Sequence, residues 1–169
     1  MIRLGLCCTF RDEPIKFRTT TAAALSRLSR DEGLAKLAGL AVANADALLA
    51  ALRFCAAHGI GCFRVNSQVL PLKTHPAHGY AMGDLPGGAG IVARFRECGA
   101  YAARKGLRTC FHPDQFVVLN SKRPEVVDAS IAELEYQAEV AGWIGADVIN
   151  VHGGGAFGDK ARSLDDFAR

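Results

Sequence analysis

Three of the five histidines stand where a chain could put them to chemical use: His75 in Thr-His-Pro, His112 in Phe-His-Pro-Asp-Gln and His152 in Val-His-Gly-Gly-Gly. His112 and His152 end short apolar runs and His75 follows a third, and in parallel α/β architectures reactive groups gather at the carboxyl ends of strands. Singly, each reads as a hydrogen-bonded structural histidine. Together they converge on one face, and a set of neutral imidazoles suits a divalent ion such as Zn²⁺ or Mn²⁺. His58, at a helix end before Gly59, suits the helix dipole, and His78 sits in a loop; neither is counted as a ligand.

Behind His152 runs Gly153-Gly154-Gly155-Ala156-Phe157-Gly158-Asp159-Lys160, a glycine-rich strand-to-helix turn with a lysine at the expected helix start. Bare backbone can approach a ligand closely, and free amides at a helix N-terminus favour an anion such as phosphate. The plainer reading is a tight turn that needs positive φ. Two further stretches are polar in a pattern. Arg64, Asn66 and Gln68 share one parity and would project to one side of a strand end. Gln115 and Phe116 pair a hydrogen-bonding group with an aromatic ring on a loop, a combination that can wedge beside or stack on bases. Against that stands the ordinary expectation that a Phe packs in a core. Glu135 and Glu139 share a helix face as like charges and read as solvated surface.

The elements that must position these groups alternate in kind. Ile2–Cys8, Cys62–Asn66, Leu107–Phe111 and Asp147–Val151 are short and mostly apolar, as buried parallel strands would be. Between them lie helical patterns: Gly33–His58, with Leu37, Leu40, Ala41, Leu48, Leu52 and Cys55 near helical spacing, then one opened by Pro86-Gly87-Gly88 and running to about Lys105, then Pro124 to about Ile144. Gly59, Gly61, Gly106 and Gly145 fall where helices must stop, and Lys160–Arg169 begins a fourth helix. Four βα units in a row imply right-handed crossovers and a parallel sheet, either a doubly wound open sheet or part of an eight-stranded barrel. Gly5-Leu6-Cys7-Cys8-Thr9 is no G-x-G-x-x-G turn, which lowers the dinucleotide-fold reading. A barrel needs ~250 residues. The 169 residues are therefore expected to form one partial domain over 1–169, the first four βα units of a (β/α) TIM-type barrel, cut off in its fourth helix.

Composition bounds the rest. Half the chain is hydrophobic and 22% is charged, which excludes a disordered tail or polar linker. The net charge of +3, from 20 Lys and Arg against 17 Asp and Glu, requires any nucleic-acid role to rest on a local patch. No pair of the six cysteines has C-x-x-C spacing, which argues against a zinc ribbon, and several are expected to pack as small core residues. No uninterrupted apolar run approaches the ~18 residues of a membrane span and no signal-peptide pattern follows Met1, so a soluble, cytoplasmic protein without a membrane partner is expected.

Four motifs in order carry a resemblance: Phe63-Arg64-Val65-Asn66-Ser67-Gln68-Val69-Leu70-Pro71-Leu72 with Thr74-His75-Pro76; Phe111-His112-Pro113-Asp114-Gln115-Phe116-Val117; Glu133-Leu134-Glu135-Tyr136; and Val148-Ile149-Asn150-Val151-His152 through Lys160. From Arg3 to about Lys160 the chain resembles the UV damage endonucleases. The resemblance implies a (β/α) barrel, a cluster of divalent metals with Mn²⁺ typical, and incision of duplex DNA immediately 5′ to UV photoproducts in excision repair, by a monomer when complete. It places the family's metal-binding histidines on His75, His112 and His152 and its lesion-probing pair on Gln115 and Phe116. On an endonuclease reading Lys160 would meet phosphate, and Asn66 and Gln68 would face the DNA. The chain departs from the family in three places: Phe116 stands for a Tyr, Leu6 for a first-strand Tyr that contacts the lesion, and Asp114 for a Gly. The family's acidic ligands, further histidines and a modified lysine belong to the second half of the barrel. Two other readings stay open: a metal-dependent sugar isomerase or epimerase on the same kind of barrel, and an inactive truncated fragment.

Overall fold

Ser29 starts the longest element. Its hydroxyl accepts from the Glu32 amide while the Glu32 carboxylate accepts from the Ser29 amide, a reciprocal capping box. In the computed structural model, which describes residues 2–168, the helix runs Arg30–Ala57, three residues earlier than the apolar periodicity predicts. The elements follow as β1 (Gly5–Leu6), α1 (Ala22–Leu25), α2 (Arg30–Ala57), β2 (Cys62–Arg64), a 3₁₀ turn (Met82–Asp84), α3 (Gly88–Arg104), β3 (Arg108–Phe111), α4 (Pro124–Ile144), β4 (Val148–Ile149) and α5 (Lys160–Ala168). Met1 and the expected last helical position, Arg169, lie outside the described residues. The four-residue α1 has no counterpart in the sequence reading, because a single turn is too short to show a period.

All strand pairs are parallel and the order is β1-β2-β3-β4. A doubly wound sheet reverses its order at a switch point, whereas sequential order without reversal is the winding of a barrel. The open-sheet alternative is thereby excluded for this segment. Strands are shorter than the apolar runs predicted. Pairing nonetheless reaches past the ends, with the Val65 amide donating to the Cys110 carbonyl at 2.8 Å and the Asn150 amide to the Phe111 carbonyl at 2.9 Å.

The register sorts the side chains into two faces. Leu6, Phe63 and Thr109 are laterally aligned, as are Phe111 and Ile149, and Phe63, Thr109 and Phe111 are buried beneath the helices. Cys62, Arg64, Cys110 and Val148 occupy the opposite face, the one a closed barrel turns inward, and stay half-buried or exposed. The cysteines divide accordingly. Cys55 and Cys98 are core residues, but Cys7 is exposed and Cys8, Cys62 and Cys110 are only half-buried. All six are free thiols, and burial, helped by neighbouring Cys62, pushes the Cys110 thiol up to about 11.

α2 is long and apolar enough to cross a membrane by length and composition. Its apolar face has another use here: Leu37, Ala41, Ala45, Leu48, Leu52 and Cys55 are buried, with the predicted Leu40 only half-buried, and the Cys98 thiol of α3 reaches the Ala45 carbonyl at 3.4 Å. α3 packs onward against α4, with Phe95 and Trp143 rings 6.0 Å apart. Gly59, Gly106 and Gly145 take left-handed φ at the helix ends, as their positions predict. Gly61 does not; its amide donates to the Leu4 carbonyl as β2 begins.

Buried Asn44 of α2 fixes the chain that carries His75. Its carboxamide accepts from the Arg18 amide and donates to the Arg18 and Val69 carbonyls, both at 2.9 Å. Tyr136 of α4 accepts from the Leu70 amide at 3.0 Å, and burial raises its phenol well above the ordinary range. The segment after β2 is thus held from two helices.

Candidate metal and nucleic-acid site

Parallel pairing of β3 with β4 places His112 beside Asn150, and the His112 Nδ1 lies 2.6 Å from the Asn150 carbonyl oxygen. A carbonyl can only accept, so Nδ1 carries the proton and Nε2 presents its lone pair. This is the tautomer of a ligating histidine whose far nitrogen is tied to a second group. The His152 ring follows two residues beyond Asn150, its centroid 4.5 Å from that of His112. Both line a cleft of about 250 Å³ with Cys8, Arg64, Val65, Ser67, Pro113, Asp114 and Gln115. A pair of imidazoles fits a divalent transition ion in donor type.

His75 is placed differently. Its Nδ1 accepts from the amides of Ala77 and His78, at 3.1 and 3.2 Å. An imidazole that accepts at Nδ1 carries its proton on Nε2, the opposite tautomer to that of His112. It lines a second, larger cleft of about 570 Å³, together with Gln68, Thr74, Phe116, Glu133 and Tyr136. The structure therefore brings two of the three histidines together, and among the described residues no group of three or more His, Cys, Asp or Glu stands ready to hold an ion.

The loop after β3 presents its tip between the clefts, with Gln115 on the smaller and Phe116 on the larger, while Asp114 and Ser67 line both. Phe116 is 76% exposed, which removes the core-packing alternative. Asp114 now has a physical account. Its Oδ1 accepts from the Phe116 amide at 3.1 Å and its carbonyl from the Val117 amide at 3.0 Å, an Asx turn that fixes the tip. Buried Val117 and the bond from the Val118 amide to the Ser130 hydroxyl anchor it from below.

Other predicted groups fare unevenly. Asn66 shapes its own turn, its Oδ1 accepting from the Gln68 amide at 2.8 Å and its Nδ2 meeting the Cys8 sulfur. β2 has ended by then, so the strand parity linking Arg64 to Gln68 does not extend that far; exposed Gln68 reaches the larger cleft from the turn. The glycine-rich loop is a tight turn with left-handed Gly154, Phe157 and Gly158. At the start of α5, Asp159 Oδ1 already accepts from the Arg162 amide, in the geometry of a helix cap. That carboxylate occupies the place a phosphate would take, so the helix-terminus anion site is not free. Lys160 remains as an exposed cation with no ion pair among the described residues.

Sequence reasoning passed over Glu133 and Tyr136 as site residues. Glu133 accepts from the Thr74 hydroxyl at 2.9 Å and walls the larger cleft. Their i, i+3 spacing puts them on one helix face, but nothing local says that this face meets the segment after β2.

A family model described as UV-endonuclease UvdE matches residues 2–169. The UV DNA damage endonuclease of Bacillus velezensis is 32% identical over 163 residues, covering 95% of this chain and 49% of that protein. The UV-damage endonuclease of Neurospora crassa is 36% identical over 137 residues, 77% of this chain and 20% of its own. The crystal structure of SacUVDE superposes with a TM-score of 0.82 at 30% identity, covering 99% of this chain and 54% of the other. The chain thus spans about half the length of the bacterial relatives it matches. Paired strand-end histidines, an exposed aromatic tip between two clefts and a match along the whole chain lead to one assignment: the protein belongs to the UV-endonuclease UvdE family.

Proposed function

We propose that the chain supplies the lesion-probing loop and part of the metal centre of an endonuclease that incises duplex DNA 5′ to UV photoproducts. The observation that carries this reading is the loop after β3, where one short segment holds a metal-competent imidazole, His112, and four positions later an aromatic residue that is 76% exposed. His112 and His152 would hold a divalent ion, Mn²⁺ being the family's usual choice, as part of a metal cluster. His75 would join them once its Nδ1 gives up the two amide donors. An ion held there would supply charge neutralisation at the phosphodiester and activation of water. The chain's own residues do the remaining work: Asn150 holds His112 in the ligating tautomer, Asp114 fixes the tip, Phe116 enters beside a weakened base step with Gln115, and Lys160 attracts phosphate. Asn66 keeps the turn from which Gln68 faces the DNA.

An isomerase or epimerase reading has no use for a phenyl ring held in solvent by an Asx turn. The deciding experiment incubates the protein with Mn²⁺ and UV-irradiated or untreated duplex. Incision 5′ to photoproducts that EDTA abolishes is the expected result. Equal cleavage of both duplexes overturns lesion specificity, and metal binding without DNA affinity favours the isomerase class.

A further inference from the structure

Phe157 is the described residue whose conformation and exposure are hardest to explain by packing. Its φ is +43°, a region in which L side chains other than Asn and Asp are strained, and the residue is 49% exposed. Leu72 is the other described non-glycine residue with positive φ, and it is half-buried against the core, which accounts for it. Phe157 belongs to no such cluster.

The strain is held in from both sides. Buried Asn120 donates to the Gly155 carbonyl at 2.9 Å and the Ser163 carbonyl at 3.1 Å, while the Ser163 hydroxyl and the Asp159 amide both donate to the Ala156 carbonyl. A Cβ on Gly154 would run into the Asn120 carboxamide, so this loop is fitted closely to the loop after β3. The Phe157 ring lies over Gly155, where an added Cβ would stand 3.1 Å from its Cζ. The result is a half-exposed aromatic residue held against its own loop.

Its position parallels that of Phe116. His112 and His152 end neighbouring strands with rings 4.5 Å apart, and each is followed four or five residues later by an exposed phenylalanine. Lys160 and Arg162, exposed and without ion pairs among the described residues, stand just beyond. Exposed rings beside unpaired cations are the combination that holds unstacked nucleic acid, the ring taking a base and the cations the backbone.

We propose that Phe157 is a second base-stacking contact, engaging a nucleobase that flanks the step entered by Phe116. This rests on the DNA-binding reading above. The test compares Phe157→Gly, Phe157→Leu and Phe157→Tyr by fluorescence anisotropy on UV-irradiated and untreated duplex, with urea unfolding of each variant. Phe157→Gly relieves the left-handed backbone, so its unfolding midpoint is expected to hold or rise while affinity for irradiated duplex falls about five-fold or more. Phe157→Leu loses most of that affinity as well, and Phe157→Tyr keeps it. A Phe157→Gly protein that binds irradiated duplex like the wild type while Phe116→Ala does not would overturn this inference alone. A lowered midpoint in Phe157→Gly would mean the ring serves the loop's own packing, with the same consequence. Wild-type protein that binds neither duplex would overturn both readings.

Discussion

Replacing Phe116 with alanine separates a ring that works in solvent from one that builds the core. Phe116 is 76% exposed, so about a quarter of the residue's surface is buried by the fold. With ~200 Å² for a phenyl side chain and ~25 cal/mol per Å², that fraction stabilises the protein by about 1 kcal/mol at most. Phe111, five residues earlier, is fully buried, and its truncation should cost about 3–5 kcal/mol through lost burial and a cavity. On DNA the ranking inverts. Phe116→Ala should weaken binding to UV-irradiated duplex by about 1–3 kcal/mol, the usual value of one base–aromatic stack, and barely alter binding to untreated duplex. An undamaged step resists unstacking, so the ring gains little there, while non-specific affinity comes from phosphate contacts. Urea unfolding reads the first quantity and equilibrium binding to the two duplexes the second. A Phe116→Ala protein destabilised by several kcal/mol, or one that loses both duplexes equally, would refute the assignment of this ring to the lesion.

His112→Ala should lower the metal retained after dialysis against Mn²⁺ while leaving a cooperative unfolding transition, because the ring stands past the end of β3 and outside the sheet packing; unchanged stoichiometry by elemental analysis would count against the site. Asp114→Asn keeps the acceptor of the Asx turn and removes a charge, so both duplexes should bind more tightly at low salt, whereas Asp114→Ala should lose discrimination between them. Lys160→Ala should weaken binding to both duplexes alike and flatten the salt dependence, since a phosphate contact reads no lesion. A hydrogen bond from Arg108 holds the Asp147 carboxyl below its ordinary value, so the pair stabilises the fold above the unfolded carboxylate pKa of about 3.9 and loses that contribution as pH falls through the lower folded value. Arg108→Gln should therefore flatten the pH dependence of the unfolding midpoint below about pH 4, and an unaltered acid profile would show that the pair does not matter there.

Much of the architecture was legible because it is written in local patterns. Pro124 at a first helical turn and Gly145 at a left-handed stop set the bounds of α4 as observed. The Ser29-x-x-Glu32 signature of a capping box was also present, and reading periodicity alone placed the start of α2 three residues late. Strand ends were read less well, since an apolar run continues past the point where a neighbouring strand stops pairing with it.

The sequence by itself determined which residues could do chemistry and that four βα units would carry them, because residue type, turn chemistry and hydrophobic period act over a few positions. Only the tertiary structure decided which of those residues meet. Three histidines looked equivalent in sequence. The β3–β4 register sets His112 beside Asn150, which gives His112 its proton position and brings the His152 ring within reach, while the turn at Ala77 and His78 assigns His75 the opposite one. Phe116 could have been core or probe until the Asx turn and the buried Val117 beneath it set the ring in solvent. The glycine-rich turn and Lys160 suggested an anion site until the Asp159 carboxylate proved to occupy the helix terminus itself. In each case the outcome depends on a hydrogen-bond partner's position in three dimensions, which residue type and spacing alone do not specify.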